Sequence, residues 1–245
     1  MPDKSERAQE YSKQSRMIHG DWQQTKMDYS HAMVPPISSS VTYDLNSEVF
    51  GGKSPMEFLL GLEDWSRLPF YIYSRFDDPT NQLLENKIAL AEGGETALVF
   101  GSGMAAITAA LITSLGPGDE IVYHHVLYGN THGFITKWLP RFGMKIKGLD
   151  FGDLDTLAAA ITENTRVVYF ETPVNPLIEL VDIQEVCSIV RQAEKRLGQE
   201  IRVIVDNTFS TPFCQRPIEL GVDMVSLSLT KAMGGFGIDL GGALV

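Results

Sequence analysis

Residues 201–242 read IRVIVDNTFSTPFCQRPIELGVDMVSLSLTKAMGGFGIDLGG. Two short apolar runs stand in this stretch. Residues 202–205 form the first, which stops on Asp206, Asn207 and Thr208; residues 223–229 form the second, which stops on Thr230 and Lys231 with glycines beyond. Runs that are apolar on both faces belong to parallel strands covered by helices. In such sheets ligands bind at the carboxyl ends of the strands. An aspartate and a lysine are therefore expected to face one crevice.

Upstream, the same alternation continues. Strands are expected over residues 97–100, 120–124, 145–149 and 166–171, and helices over 81–92, 104–114, 131–142, 154–161 and 183–197. Strands alternating with helices imply right-handed crossovers, so the fold class is α/β with a mostly parallel sheet flanked by helices. Residues 51–72 read as a loop with one short helix. The first 50 residues carry little periodicity beyond a strand-like Val41-Thr42-Tyr43, which suits an extended arm over a neighbouring surface.

The chain has 245 residues, 44% of them hydrophobic, enough for a large core. A net charge of −11 argues against nucleic acid, because phosphate binding needs a basic patch. Two cysteines, Cys187 and Cys214, provide neither a disulfide framework nor a metal spacing, and Cys187 reads as a packed thiol. The five histidines form no ligand spacing with nearby Cys or acidic residues, and His124-His125 reads as structural. With no apolar run of spanning length and no apolar leader, a cytoplasmic enzyme is expected, without a membrane partner.

Gly101-Ser102-Gly103-Met104-Ala105-Ala106 follows a strand and opens a helix. Its glycines let N–H groups approach an anion, and the helix start favours negative charge. A phosphate site is the functional reading, and a tight turn packed with small residues the structural one. The string also fits G-x-G-x-x-A, a dinucleotide fingerprint of nicotinamide-dependent dehydrogenases. That motif wants an acidic residue at the end of the next strand, which here ends in His124-His125. Ser228 and Thr230 alternate along an extended chain, so both can point toward a phosphate. Lys231 supplies an amine able to bond a carbonyl. Asp206 can hold a proton on a pyridinium nitrogen, as an electron-sink cofactor requires. Tyr128, in Leu127-Tyr128-Gly129, is the best ring to stack on such a cofactor. Together these are the parts for pyridoxal 5'-phosphate.

The pieces Tyr73-Ser74-Arg75 with Pro79-Thr80, Leu90-Ala91-Glu92-Gly93-Gly94, Gly101-Ser102-Gly103-Met104, Pro117-Gly118-Asp119, Leu127-Tyr128-Gly129, Glu171-Thr172-Pro173 with Asn175-Pro176, Val205-Asp206-Asn207-Thr208 and Ser228-Leu229-Thr230-Lys231 occur in one order from about residue 30 onward. In them the chain resembles the Cys/Met-metabolism enzymes that use pyridoxal phosphate (PLP): cystathionine γ-synthase, cystathionine lyases, methionine γ-lyase and O-acetylhomoserine sulfhydrylase. The resemblance implies the large domain of a fold-type I PLP-dependent transferase, over residues 61–245, with residues 1–60 an arm contacting a neighbouring subunit and the C-terminal small domain outside this chain.

It also implies roles. Lys231 bonds the cofactor aldehyde and moves substrate protons. Asp206 pairs with the ring nitrogen. Tyr128 stacks on the ring and serves as acid or base. Gly103, Met104, Thr208, Ser228 and Thr230 belong to the cofactor's cradle, and Asn175 lies near the ring hydroxyl or the substrate carboxylate. Tyr73 and Arg75 reach the phosphate of a neighbouring subunit, within a dimer and usually a tetramer. The implied activity is C–S bond chemistry on small sulfur amino acids, by replacement or elimination. The alternative is an inactive chain that binds PLP or associates with intact subunits. Methionine γ-lyases usually carry Cys where this chain has Asn130, which argues against that member. Gly235-Phe236-Gly237 stands where a Gly-His is usual, so a divergent substrate preference is expected.

Overall fold

The computed structural model describes residues 35–44 and 71–245, together with Ser12, Ser15, Ser54, Glu57 and Gly61. The chain divides into two compact units, Met1–Lys87 and Ile88–Val245. Most of the arm, and nearly all of the loop and short helix expected over residues 51–72, lie outside the described residues. In the first unit the strand-like Val41-Thr42-Tyr43 makes an antiparallel bridge, Thr42 opposite Tyr73, with Ser74 N–H donating to the Val41 carbonyl at 2.9 Å. Helix α1, Pro79–Glu92, starts two residues before the expected position. Asp78 is the reason: its Oδ1 accepts from the N–H groups of Thr80 and Asn81 at 2.9 and 3.0 Å, and Pro79 fits the first helical position, where no N–H is needed.

The second unit is built on a sheet of seven strands among the described residues: β1 (Leu98–Phe100), β2 (Glu120–His124), β3 (Lys145–Leu149), β4 (Thr165–Glu171), β5 (Arg202–Asp206), β6 (Met224–Leu227) and β7 (Gly242–Leu244). Their order is β1-β7-β6-β5-β4-β2-β3. From β3 to β6 every pairing is parallel, while β7 runs antiparallel to both neighbours. Helices α2 (Gly103–Ser114), α3 (Gly129–Lys137), α4 (Leu154–Ala160), α5 (Ile183–Leu197) and the short α6 (Thr211–Cys214) complete the unit. The α/β reading therefore holds.

Strand pleating explains the two cores. Ile121, Tyr123, Val167, Tyr169 and Ile204 point to one face, where they meet Ile107 and Leu111 of α2 and Ile135 of α3. Val122, Val168, Phe170, Val203 and Val205 point to the other, with Leu157 of α4 and Val186 and Val190 of α5. Each such side chain, fully buried, stabilises the fold by roughly 1.5–3 kcal/mol. Cys187 packs into the second of these cores, as expected for a packed thiol, and both cysteines are free. No helix among the described residues is long and apolar enough to cross a membrane.

Two elements differ from the sequence expectation. The single helix expected over 131–142 is α3 followed by a 3-10 turn, Leu139–Phe142, because Pro140 has no N–H to continue an α-helical ladder. Strand β7 was not expected: three residues opening on glycine carry no periodic signal. Gly242 is required there. A Cβ on it would overlap the Ser102 carbonyl group and stand 2.7 Å from the Gly103 nitrogen, all main chain that cannot swing aside. Gly242→Ala is expected to destabilise the protein by about 3 kcal/mol, measured by urea unfolding; an unchanged midpoint would show that β7 is not seated against the start of α2.

Candidate active site

The loops leaving the carboxyl ends of β2, β4, β5 and β6 enclose, with the start of α2, a cavity of about 400 Å³. Nine residues predicted for the site line it: Gly103, Met104, Tyr128, Asn175, Asp206, Thr208, Ser228, Thr230 and Lys231. Tyr73 and Arg75 belong to the first unit and are not among the lining residues described. There the Arg75 guanidinium lies 5.3 Å from the centre of the Tyr73 ring.

One wall suits an anion. Ser102 caps α2, its hydroxyl accepting from Ala105 N–H at 3.1 Å. The N–H groups of Gly103 and Met104 open the helix with no carbonyl one turn behind them. Gly103 must be glycine because a Cβ there would come within 2.8 Å of Ser228 Cβ. That closeness brings the end of β6 against the helix start. Ser228 is fixed in turn by its N–H, which donates to the Thr208 hydroxyl at 2.8 Å. Thr230 also lines the cavity, but its hydroxyl is tied to Gly241, accepting from the N–H at 3.0 Å and donating to the carbonyl at 3.2 Å.

The cavity also carries two carboxyls. Asp206 ends β5, is 9% exposed, and accepts from Thr208 N–H at 2.9 Å. Burial pushes its carboxyl above the ordinary range, against the pull of the Thr208 bonds. A cation beside it would relieve that cost. Glu171 ends β4, is 4% exposed, and lines the same cavity. Its Oε1 accepts from Asn175 N–H at 2.9 Å, and burial pushes it up to about 7. No functional role was expected for Glu171 from sequence, although a carboxylate closing an apolar strand is the signal that singled out Asp206. Pro173, Phe209 and Leu240 are further lining residues that sequence reasoning missed.

Lys231 sits in a turn, its N–H donating to the Ser228 carbonyl at 3.1 Å and its carbonyl accepting from Gly235 N–H at 3.0 Å. Tyr128 is 40% exposed. Its hydroxyl accepts from the Asn130 side chain at 3.0 Å.

Behind the cavity runs a buried polar network. Asn207 donates to Glu92 Oε1 at 2.8 Å and to the Gln215 carbonyl at 3.1 Å. Gln215 Nε2 reaches Asn207 Oδ1 at 2.9 Å and the Thr172 carbonyl at 2.6 Å. The network thus braces the loops that carry Asp206 and Asn175. Glu92 is fully buried, its Oε2 has no partner among the described residues, and burial pushes it up to about 7 against an ordinary 4.5, partly offset by the Asn207 bond. Since the folded value lies above the unfolded one, the folded state holds a proton that the unfolded chain releases. Stability from this group is fully present below about pH 4.5 and is lost as pH rises through 7. The full loss is on the order of 3 kcal/mol. Glu92→Gln is expected to flatten that slope, so its stability relative to wild type rises between pH 5 and pH 8 in urea unfolding. A constant difference across that range would contradict the assignment.

The sequence shows no ligand spacing around the histidines, but the pairing of β2 with β3 gathers His124, His125 and Asp150 with ligand atoms within 4.8 Å. His124 Nδ1 accepts from Phe151 N–H at 3.1 Å, which leaves the proton on its buried Nε2. His125 Nδ1 lies 2.9 Å from the Leu149 carbonyl. These bonds fit the structural role expected of both.

The donor set fits PLP: a glycine-and-hydroxyl cradle at a helix start for a phosphate, a buried carboxyl for a pyridinium, and a lysine for an aldehyde, all on one cavity. Comparison with known proteins points the same way. The family model for Cys/Met metabolism PLP-dependent enzymes matches residues 14–245. An L-methionine gamma-lyase of Pseudomonas putida is 38% identical over 94% of this chain and 54% of its own. A cystathionine gamma-synthase of Mycobacterium bovis is 41% identical over 71% and 43%. The crystal structure of metB from Corynebacterium glutamicum superposes with a TM-score of 0.82 at 31% identity, covering 97% of this chain and 56% of that one. A putative O-acetylhomoserine (thiol)-lyase of Campylobacter jejuni, whose structure carries a pyridoxyl-lysine phosphate, has the same TM-score at 32% identity, over 96% and 53%. The chain spans about half the length of the curated relatives it matches.

Proposed function

The chain belongs to the Cys/Met metabolism PLP-dependent enzymes, and on that premise we propose that it carries the cofactor half of a site for replacement or elimination at the β or γ carbon of a sulfur amino acid. The observation that carries the reading is the convergence of Gly103, Asp206 and Lys231 on one cavity. PLP, when bound, supplies an electron sink for the pair left as a proton leaves the substrate α carbon.

The residues divide that task. Lys231 would bond the aldehyde carbon, give way to the substrate amine, and then carry protons at the α and β carbons. Asp206 would hold the proton on the ring nitrogen. The N–H groups of Gly103 and Met104 and the Ser228 hydroxyl would hold the phosphate, with Thr208 fixing Ser228 and Thr230 shaping the wall. Tyr128 would stack on the ring; because Asn130 donates to its oxygen, its own O–H is left to donate toward the substrate. Asn175 would sit near the ring hydroxyl or the substrate carboxylate. Tyr73 and Arg75 would serve the phosphate of a neighbouring subunit, with residues 1–60 as the arm and 61–245 as the PLP-binding domain of a cytoplasmic homotetramer.

The test is an assay of the PLP-loaded chain with cystathionine, methionine, and O-acetylhomoserine plus sulfide. Release of an α-keto acid would mark elimination, and a new thiol amino acid would mark replacement. PLP bound firmly with no product from any of the three would overturn the reading.

A further inference from the structure

The cavity holds a carboxyl that the proposed reaction does not use. Glu171 ends β4 as Asp206 ends β5, and the two are register partners across the parallel ladder. Register partners in adjacent strands project to the same face of a sheet, so the two carboxyls stand side by side at the cavity wall that both line. Both are nearly closed to water, at 4% and 9% exposure. Two neighbouring carboxylates without hydration repel, and one of them keeps its proton. In the PLP reading, on which this inference rests, the ring nitrogen neutralises Asp206. No ion pair reaches Glu171 among the described residues. What holds it is a main-chain donor, Asn175 N–H at 2.9 Å. Glu171 therefore ties the end of β4 to the loop that carries Asn175.

We propose that Glu171 is a positioning residue, a neutral carboxyl beside Asp206 whose oxygen accepts from the main chain and fixes Asn175 against the cavity. Its required property is then an acceptor at one place, not a negative charge.

Three variants of the full chain separate these properties: Glu171→Gln keeps the acceptor without the charge, Glu171→Asp keeps a carboxyl but withdraws it by one methylene, and Glu171→Ala removes both. Two readouts apply: hydrogen exchange at the Asn175 amide before any cofactor is added, and the dissociation constant for PLP from an absorbance titration. Glu171→Gln is expected to match wild type in both. Glu171→Asp and Glu171→Ala are expected to raise Asn175 exchange and the PLP dissociation constant by about tenfold each. If Glu171→Ala fails to fold, the contrast between Gln and Asp still decides. Wild-type behaviour from Asp with loss from Gln would show that charge is what matters and would overturn the proposal, as would wild-type behaviour from all three. The exchange measurement needs no cofactor, so a chain that does not bind PLP would defeat the functional reading while leaving this assignment separately testable.

Discussion

Lys231→Ala is expected to lower turnover by at least about a thousandfold, since the proposed role of the lysine combines a covalent bond with proton transfer and general acid–base catalysis alone contributes about 10²–10⁴. The loss should fall on kcat. The phosphate contacts proposed for Gly103, Met104 and Ser228 would remain in the variant, so PLP should still bind, more weakly and without the absorption band of a cofactor bonded to lysine. The fold should be spared. Lys231 is exposed at the cavity, and substitutions at such positions change stability by about 0.5 kcal/mol or less. Single-turnover kinetics, a PLP titration and thermal unfolding check the three parts. Retained turnover with an unchanged band would move the chemistry to another amine.

Asp206→Asn is expected to push function and stability in opposite directions. With the carboxylate gone, the ring nitrogen would lose the partner proposed to keep it protonated, and kcat/KM should fall by about 10²–10⁴. The cofactor-free protein should gain stability instead. Burial raises the Asp206 carboxyl above its ordinary range, so the folded state favours the proton. As pH rises through the folded value, the buried charge becomes a growing liability. Removing it stabilises the cofactor-free fold at pH 8 and has little effect near pH 3. Adding PLP should then stabilise wild type more than the variant, because a ligand stabilises in proportion to its affinity for the folded state. Unfolding at the two pH values, with and without PLP, reads all of this. A variant less stable than wild type at pH 8 without PLP would mean that a partner already neutralises Asp206.

Much of the fold was legible because the strands carrying it are apolar on both faces and the residues closing β5 and β6 are polar. Asp206 and Lys231 stood out as interruptions of those runs. What stayed hidden depends on contacts between distant positions or on main-chain packing. Asn207 bonds Glu92 across 115 residues of sequence, a distance over which no periodicity speaks. Glu171 gained meaning only when register placed it beside Asp206. The grouping of His124 with Asp150 likewise needed β2 and β3 to be paired. Strand β7 follows from the close approach that Gly242 allows, and three residues are too few to announce a strand. The break in α3 was readable from Pro140 alone, and the apolar spacing through Phe142 masked it.

In the proposed site, Lys231 is the residue that bonds the PLP aldehyde. Reducing the PLP-loaded chain with borohydride fixes that carbon–nitrogen bond, and peptide mass spectrometry then reads which lysine carries the pyridoxyl phosphate. The label is expected on Lys231 alone. A label on another lysine, or none on a chain that has bound PLP, would contradict it.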